Sequence, residues 1–434
     1  MQGEDYGYAD VPSVSPRDAA ITYRDLSLYD DFTKNNFWFL IQNLMTHGII
    51  KGNLEKLGGE KEPLDKFTNE SLLYFARGVS MWELYISPDI LTEGEWNNMS
   101  NAILWAKDRF PILSTTEMIG GDPKKRETYG YVHFKGNRGI IAARNPWIES
   151  GSLKVELSPA QGLSPDAADL VIEKVYPDRW VSPQLYAAGS SFNIPLDGYE
   201  TAVYEIYPLS EATMPLFAGV PFELKESKGS LFQFSIFGKG DGAKLLNFDV
   251  VQKISSNGSV VELDTLFDAI KSESPAIDPN ELTFAVTDQE KGIVKFDFML
   301  DTSVREGTLA MLLAPGTESE KLKLPKVNVT IDGKEDTAKF QRGDGHSTWY
   351  TIKIAPGKHS IEAQIIPRDG SKPWSYDMSA WMICKQKQTG MQLTFETAKS
   401  FKQKPMPPNP LPDGERVVNI QLGSSKLGNV EKHE

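Results

Sequence analysis

Apolar positions follow two different rules along this chain, and the change falls near residue 125. Ahead of it, apolar residues come in blocks. Phe37-Trp38-Phe39-Leu40-Ile41-Gln42-Asn43-Leu44-Met45 is too apolar for an exposed element, and Thr46-His47-Gly48 reads as a strand end or the turn after one. Leu72-Leu73-Tyr74-Phe75-Ala76 is a second buried run, leading into Arg77-Gly78 and then Met81-Trp82-Glu83-Leu84-Tyr85-Ile86-Ser87-Pro88. Thr92 and Glu95 spell a capping box, and Trp96, Met99, Ile103 and Leu104 recur at helical spacing. The helix they predict closes at Trp105-Ala106-Lys107, before Phe110-Pro111-Ile112-Leu113, which reads as another short buried strand. Gly120-Gly121-Asp122-Pro123 is a stop. Strand, loop, helix, strand in this order predicts a parallel α/β segment.

Beyond residue 125 short β-rich runs alternate with Gly, Asn and Pro turns. Tyr129–Phe134, Gly139–Arg144, Leu153–Leu157, Leu170–Val175, Phe192–Ile194 and Thr201–Tyr207 are predicted strands of an antiparallel sandwich over residues 125–245. A second β-rich unit over 246–400 is marked by Val294–Leu300, by Lys326–Ile331 before the turn Asp332-Gly333, and by Thr348–Ile354 and His359–Ile365. The last two flank Ala355-Pro356-Gly357-Lys358, read as a hairpin. Residues 401–434 form a tail whose prolines predict a linker or an irregular closing segment. The expected class is multidomain and mainly β, with an α/β segment over 1–124.

Composition narrows the function classes. A chain of 434 residues suggests two to four domains. The formal charge of -13 excludes nucleic acid as the expected partner, because phosphates need a concentrated basic face. One cysteine, Cys384, rules out an internal disulfide, and its apolar neighbours predict a small buried hydrophobe. No apolar run approaches the ~20 residues of a membrane span, and Gln2-Gly3-Glu4-Asp5 is acidic with no apolar stretch after it. A soluble chain without an export signal is expected, its compartment undetermined. The five histidines are too scattered for a metal cluster, and no cofactor is expected.

Three stretches carry a family likeness: Thr46-His47-Gly48; Arg77-Gly78 through Trp82-Glu83-Leu84-Tyr85-Ile86-Ser87-Pro88; and Tyr129-Gly130-Tyr131 through Gly139-Ile140-Ile141-Ala142-Ala143-Arg144-Asn145-Pro146. Over roughly residues 20–210 the chain resembles the end of the barrel and the following sandwich of α-galactosidase-like glycoside hydrolases, especially large bacterial enterotoxin-like members. The resemblance makes residues 1–124 the carboxyl-terminal segments of an incomplete (β/α) barrel followed by two β-sandwiches. It implies a retaining glycoside hydrolase acting on α-galactoside-like glycans, often periplasmic or secreted in that group. Such enzymes use two carboxylates ~5–5.5 Å apart, the nucleophile on the fourth barrel strand. A whole barrel takes about 250 residues. The residues ahead of the sandwich are too few, so the nucleophile strand is expected to be missing: a separate chain carrying the barrel's first half supplies it, or the chain is a fragment, or the segment has a different closed fold.

Glu83 is the acid singled out for catalysis. It either contacts substrate, serves as general acid/base, or merely bonds a loop or Arg77. Asp25, near Asp30 and Asp31, is a second candidate carboxylate at a strand end. His47, Trp82 and Arg77 are candidate substrate contacts around them. In the second sandwich Trp349, Tyr350, Trp374, Tyr376 and Trp381 are candidate stacking rings, with core packing as the alternative. Asp301, Asp344 and Asp377 have no spacing that demands calcium. Oligo- or polysaccharide is the expected partner, with neither nucleic acid nor membrane. A non-catalytic carbohydrate-binding or scaffold protein is the competing reading, since fold analogy alone does not establish activity.

Overall fold

The computed structural model describes residues 13–46, 48–52, 57, 62–238, 242–262, 266, 274–316, 325–341, 348–367, 374–402, 404–411 and 414–428. It is mainly β, at 47% strand and 20% helix, with several antiparallel sheets and no closed barrel among the described residues. Two compact units form from interleaved segments: Arg24–Glu273 with Gln388–Gly414, and Met1–Tyr23 with Ser274–Lys387 and Glu415–Glu434. No helix among the described residues is long and apolar enough to cross a membrane.

The larger unit opens with α/β elements. Helix α1 (Pro16–Leu28) enters this unit at Arg24, and strand β1 (Ile49–Lys51), helix α2 (Leu64–Ala76), strand β2 (Leu84–Ile86) and helix α3 (Glu93–Leu113) follow. β1 and β2 pair in parallel, Ile49 beside Leu84 and Lys51 beside Ile86, so β1–α2–β2 is a βαβ unit, and α3 follows it. α3 starts as its sequence dictates. Thr92 Oγ1 accepts the Glu95 backbone N–H, and the Glu95 carboxylate accepts the Thr92 N–H at 2.8 Å.

Strands β3 (Thr116–Gly120), β4 (Tyr129–Lys135), β5 (Arg138–Arg144), β6 (Gly151–Glu156), β7 (Leu170–Tyr176), β8 (Trp180–Val181), β9 (Ser191–Leu196) and β10 (Thr201–Pro208) follow. An eight-stranded sheet runs Lys244–Leu245, Phe217–Ala218, β8, β7, β10, β5, β4, β3, while β6 and β9 form a second small sheet. β4 shows why the sheet is covered on both sides. Its Val132 and Phe134 join Leu153, Val155, Ile194 and Leu196 of β6 and β9 in one core. Its Tyr129, Tyr131 and His133 point the other way and bond the helices: Tyr129 and Tyr131 to Asp25, His133 to the Leu113 carbonyl at 2.8 Å. On the same face the Trp105 indole donates to Glu205 of β10 at 2.8 Å, and Tyr176 of β7 donates to Asn69 of α2 at 2.6 Å. The unit closes with a five-stranded sheet in the order Phe222–Lys228, Leu231–Phe237, Gly390–Thr397, Val251–Ser256, Ser259–Val260.

The smaller unit is a sandwich of two five-stranded sheets. One runs Thr283–Asp288, Ile293–Leu300, Gly357–Ile366, Lys326–Ile331, Lys334–Thr337; the other runs Lys339–Gln341, Thr348–Ile354, Val304–Pro315, Ser375–Lys387, Glu415–Gly428. Alternating inward residues of both sheets, Val294, Phe296 and Phe298 among them, fill one core with Leu309, Met311 and Ile352.

Several expected elements are corrected. The Phe37–Met45 block is no buried strand; most of it is exposed, and its only regular piece is the short turn Ile41–Asn43. Leu72–Ala76 is buried as read, but within α2. Phe110–Leu113 is the last turn of α3, which runs through Pro111 instead of closing at Lys107. Ala355–Lys358 is no hairpin, since the strands on either side belong to different sheets. Periodicity finds a strand, but it does not say in which sheet the strand lies.

Candidate functional site

The motifs that carry the family likeness meet in the larger unit. Gly48, just before β1, lies so close to β2 that a Cβ there would come within 1.6 Å of the Glu83 carbonyl. Gly78 ends α2 with a left-handed φ of +81°, and a Cβ on it would sit 2.1 Å from the Leu113 carbonyl at the end of α3. Both glycines are required by close packing. The Arg144-Asn145-Pro146 turn is a brace of the same kind. Arg144 is buried and donates to Thr201 Oγ1 at 3.1 Å, while the Asn145 amide donates to the Glu149 carbonyl at 2.7 Å.

Asp25 sits on α1, not at a strand end, and is fully buried. Arg77 Nε donates to its Oδ1 at 2.7 Å, as does the Tyr131 hydroxyl at 2.7 Å, and the Tyr129 hydroxyl donates to Oδ2 at 2.5 Å. Burial works against the Arg77 charge, but the Asp25 carboxylate outweighs it and raises the Arg77 pKa. Burial, then Asp25, holds both phenols well above their usual range. The cluster is a buried ionic knot joining α1, the end of α2 and β4.

Glu83 is half-buried, and Arg77 is engaged by Asp25 instead. The Tyr85 hydroxyl donates to Glu83 Oε2 at 2.9 Å, and the Glu83 backbone N–H donates to the Tyr74 hydroxyl at 2.8 Å. Among the described hydrogen bonds the Glu83 and Asp25 carboxylates share no partner. Glu83 stands just before β2, at the start of the strand. Ser87, Pro88 and Asp89 follow its end. Asp89 is not among the candidates read from sequence. Trp82 is half-buried; its indole donates to the Val79 carbonyl at 2.9 Å, and its ring stands edge-on to Phe75, centroids 4.8 Å apart. His47 lies outside the described residues.

Around these residues the larger unit presents apolar surface. Trp38 is 85% exposed, and Phe37, Phe39, Leu40 and Met45 of the same segment are also exposed. Met81, Leu84 and Tyr85 are exposed beside it, tied to that segment by the Ser80 N–H donating to the Gln42 carbonyl at 2.9 Å. Phe37 and Trp38 contact each other, and Phe32 packs edge-on to Phe37 with centroids 5.7 Å apart. Monomeric soluble surfaces seldom gather so many large apolar side chains in one place.

The rings of the smaller unit are placed differently. Trp349 is fully buried beside Trp381, centroids 5.5 Å apart, and offers no face to solvent. Tyr350 and Tyr376 are buried, and the half-buried Trp374 packs against the core and Tyr376. Asp301 caps its own turn, its carboxylate accepting the Ser303 hydroxyl at 2.6 Å; Asp377 is exposed; Asp344 lies outside the described residues. Among the described residues no group of three or more metal-ligating side chains converges.

No protein-family model matches the chain, and no curated protein matches it. The solved structures that overlap it include the γ-CGTase of alkalophilic Bacillus clarkii, at 7% identity and a TM-score of 0.23, covering 80% of this chain and 50% of that one. The rhamnosidase of Novosphingobium sp. PP1Y overlaps 59% of this chain and 22% of its own length, at 9% identity and a TM-score of 0.14. The full-length major pilin SpaD of Corynebacterium diphtheriae overlaps 64% of this chain and 80% of its own, at 13% identity and a TM-score of 0.20. The chain thus spans half of the first of these and about a fifth of the second. Overlaps at these scores do not establish a shared architecture.

Proposed function

We propose that the chain is the carboxyl-terminal portion of a carbohydrate-active enzyme, a retaining glycoside hydrolase on α-galactoside-like glycans. In this reading β1–α2–β2–α3 are late units of a barrel, and other polypeptide, joined to this chain or separate, supplies the earlier ones. The observation that carries it is the apolar face of Phe37, Trp38, Phe39, Leu40, Met81 and Leu84 around a parallel strand pair. Parallel sheets are normally covered on both faces, and preceding β/α units would cover this one. The substrate class rests on the sequence resemblance.

In this reading substrate contact falls to the loop after β2, with Asp89 as its acid. Glu83 then supports the start of the strand. The test joins this chain to polypeptide carrying the preceding β/α units and assays aryl α-galactosides. Turnover that falls at least about 100-fold in Asp89→Asn, and much less in Glu83→Gln, supports the reading. An assembled protein inert to every aryl glycoside sinks it. The reverse ranking of the two variants returns catalysis to Glu83.

A further inference from the structure

Within the larger unit, β7, β8 and β10 on one side and β9 on the other border a cleft of about 230 Å³. Pockets for drug-sized ligands measure about 300–1,000 Å³, so this one suits a single ring. Three half-buried aromatic side chains line it: Trp180, Tyr186 and Phe192. The Tyr186 and Phe192 centroids lie 5.6 Å apart, and the Tyr186 hydroxyl is within 3.2 Å of Ser182 Oγ, which fixes the ring.

The polar lining is as telling. Lys174 enters the cleft from β7, its ammonium 2.7 Å from Asp178 and 2.7 Å from Glu200. An ion triad at a sandwich wall is a poor way to gain stability, because apolar side chains of like volume would serve as well or better. Burial disfavours the Lys174 charge, but the two carboxylates outweigh it and raise its pKa well above the usual value, so it stays protonated. The triad sets one ammonium against two acids in a chain of net charge -13, which disfavours anionic ligands. A cation would meet the ammonium and two acids already engaged by it. What remains is a neutral ligand with an apolar face for the rings and hydroxyls for a fixed donor and acceptors.

We propose that this cleft binds one pyranose of a neutral oligosaccharide, the C–H face of the sugar on Trp180 and its hydroxyls on Lys174, Asp178 and the exposed rim residue Asn193. The site lies in the sandwich and does not depend on the barrel reading, since binding is measured without turnover.

The experiment titrates the full chain with neutral galacto-, gluco-, manno- and xylo-oligosaccharides and with oligogalacturonate, following tryptophan fluorescence and calorimetry. At least one neutral series should saturate, with oligogalacturonate weaker by about tenfold or more. Trp180→Ala and, separately, Asn193→Ala should each weaken binding by about threefold to tenfold at unchanged melting temperature. Failure of every neutral series to bind overturns the proposal. So does binding that both variants leave intact, or tighter binding of the oligogalacturonate.

Discussion

At the residue scale the Asp25–Arg77–Tyr129–Tyr131 knot decides what Asp25 can do. A carboxylate with no exposed surface and three donors upon it is a structural anion. Asp25→Asn leaves a buried guanidinium without its counter-charge and should cost about 3–5 kcal/mol in urea unfolding. Asp25→Asn with Arg77→Met should cost clearly less than the sum of the single changes, since the pair acts as one unit. Additive costs would show that the two do not cooperate. His133, on the same face of β4, makes a pH device. Its Nδ1–H donates to Leu113, and burial pushes its pKa down to about 4. The unfolded histidine titrates near 6.5, so as pH falls from about 6.5 to 4 the unfolded chain gains a proton that the folded one refuses. Stability from this group is therefore full above about pH 6.5 and lost on acidification, by about 3 kcal/mol at pH 4. His133→Gln should flatten that slope in paired urea titrations at pH 7 and pH 4.5; an unchanged slope would assign it to other groups. Cys384 is simpler: burial pushes its thiol up to about 12, which makes it inert at neutral pH.

At the element scale, α3 was legible because its start signal is local. Glu95, however, does more than cap. The same carboxylate pairs with the fully buried Lys51 of β1, so the cap and the strand are held by one side chain. Thr92→Ala should cost about 1 kcal/mol, the price of a cap, while Glu95→Ala should cost about 3–5 kcal/mol because Lys51 loses its nearest counter-charge. Equal losses in thermal or urea unfolding would deny the second role. Most antiparallel strands were legible too, since alternation and turn residues lie within a few positions of one another. Illegible were the features set by partners distant in sequence. The Phe37–Met45 block reads as core because composition records apolarity, not whether anything covers it. Asp25 reads as a strand-end acid because its partners lie far along the chain, at residues 77, 129 and 131. Glu83 precedes its strand, which begins only at Leu84, a bound that the continuous Trp82–Ile86 run does not mark in the sequence.

At the scale of the whole molecule, the exposed apolar side chains of residues 37–40 are the feature with the most direct solution signature. The chain alone should enhance the fluorescence of an apolar dye, and Trp38→Ser with Leu40→Ser should reduce that signal at unchanged circular dichroism. A chain that ignores the dye would remove the support for a covered face. The order of strands in the five-stranded sheet of the larger unit has another consequence. Gly390–Thr397 lies between Leu231–Phe237 and Val251–Ser256, so the middle of that sheet is the last part to be synthesised. During translation, Phe232 and Phe234 must wait for Phe395 to leave the ribosome, more than 100 residues of nascent chain later. A stop codon anywhere before residue 390 would therefore reach far upstream, leaving two separated flanks with no strand to join them.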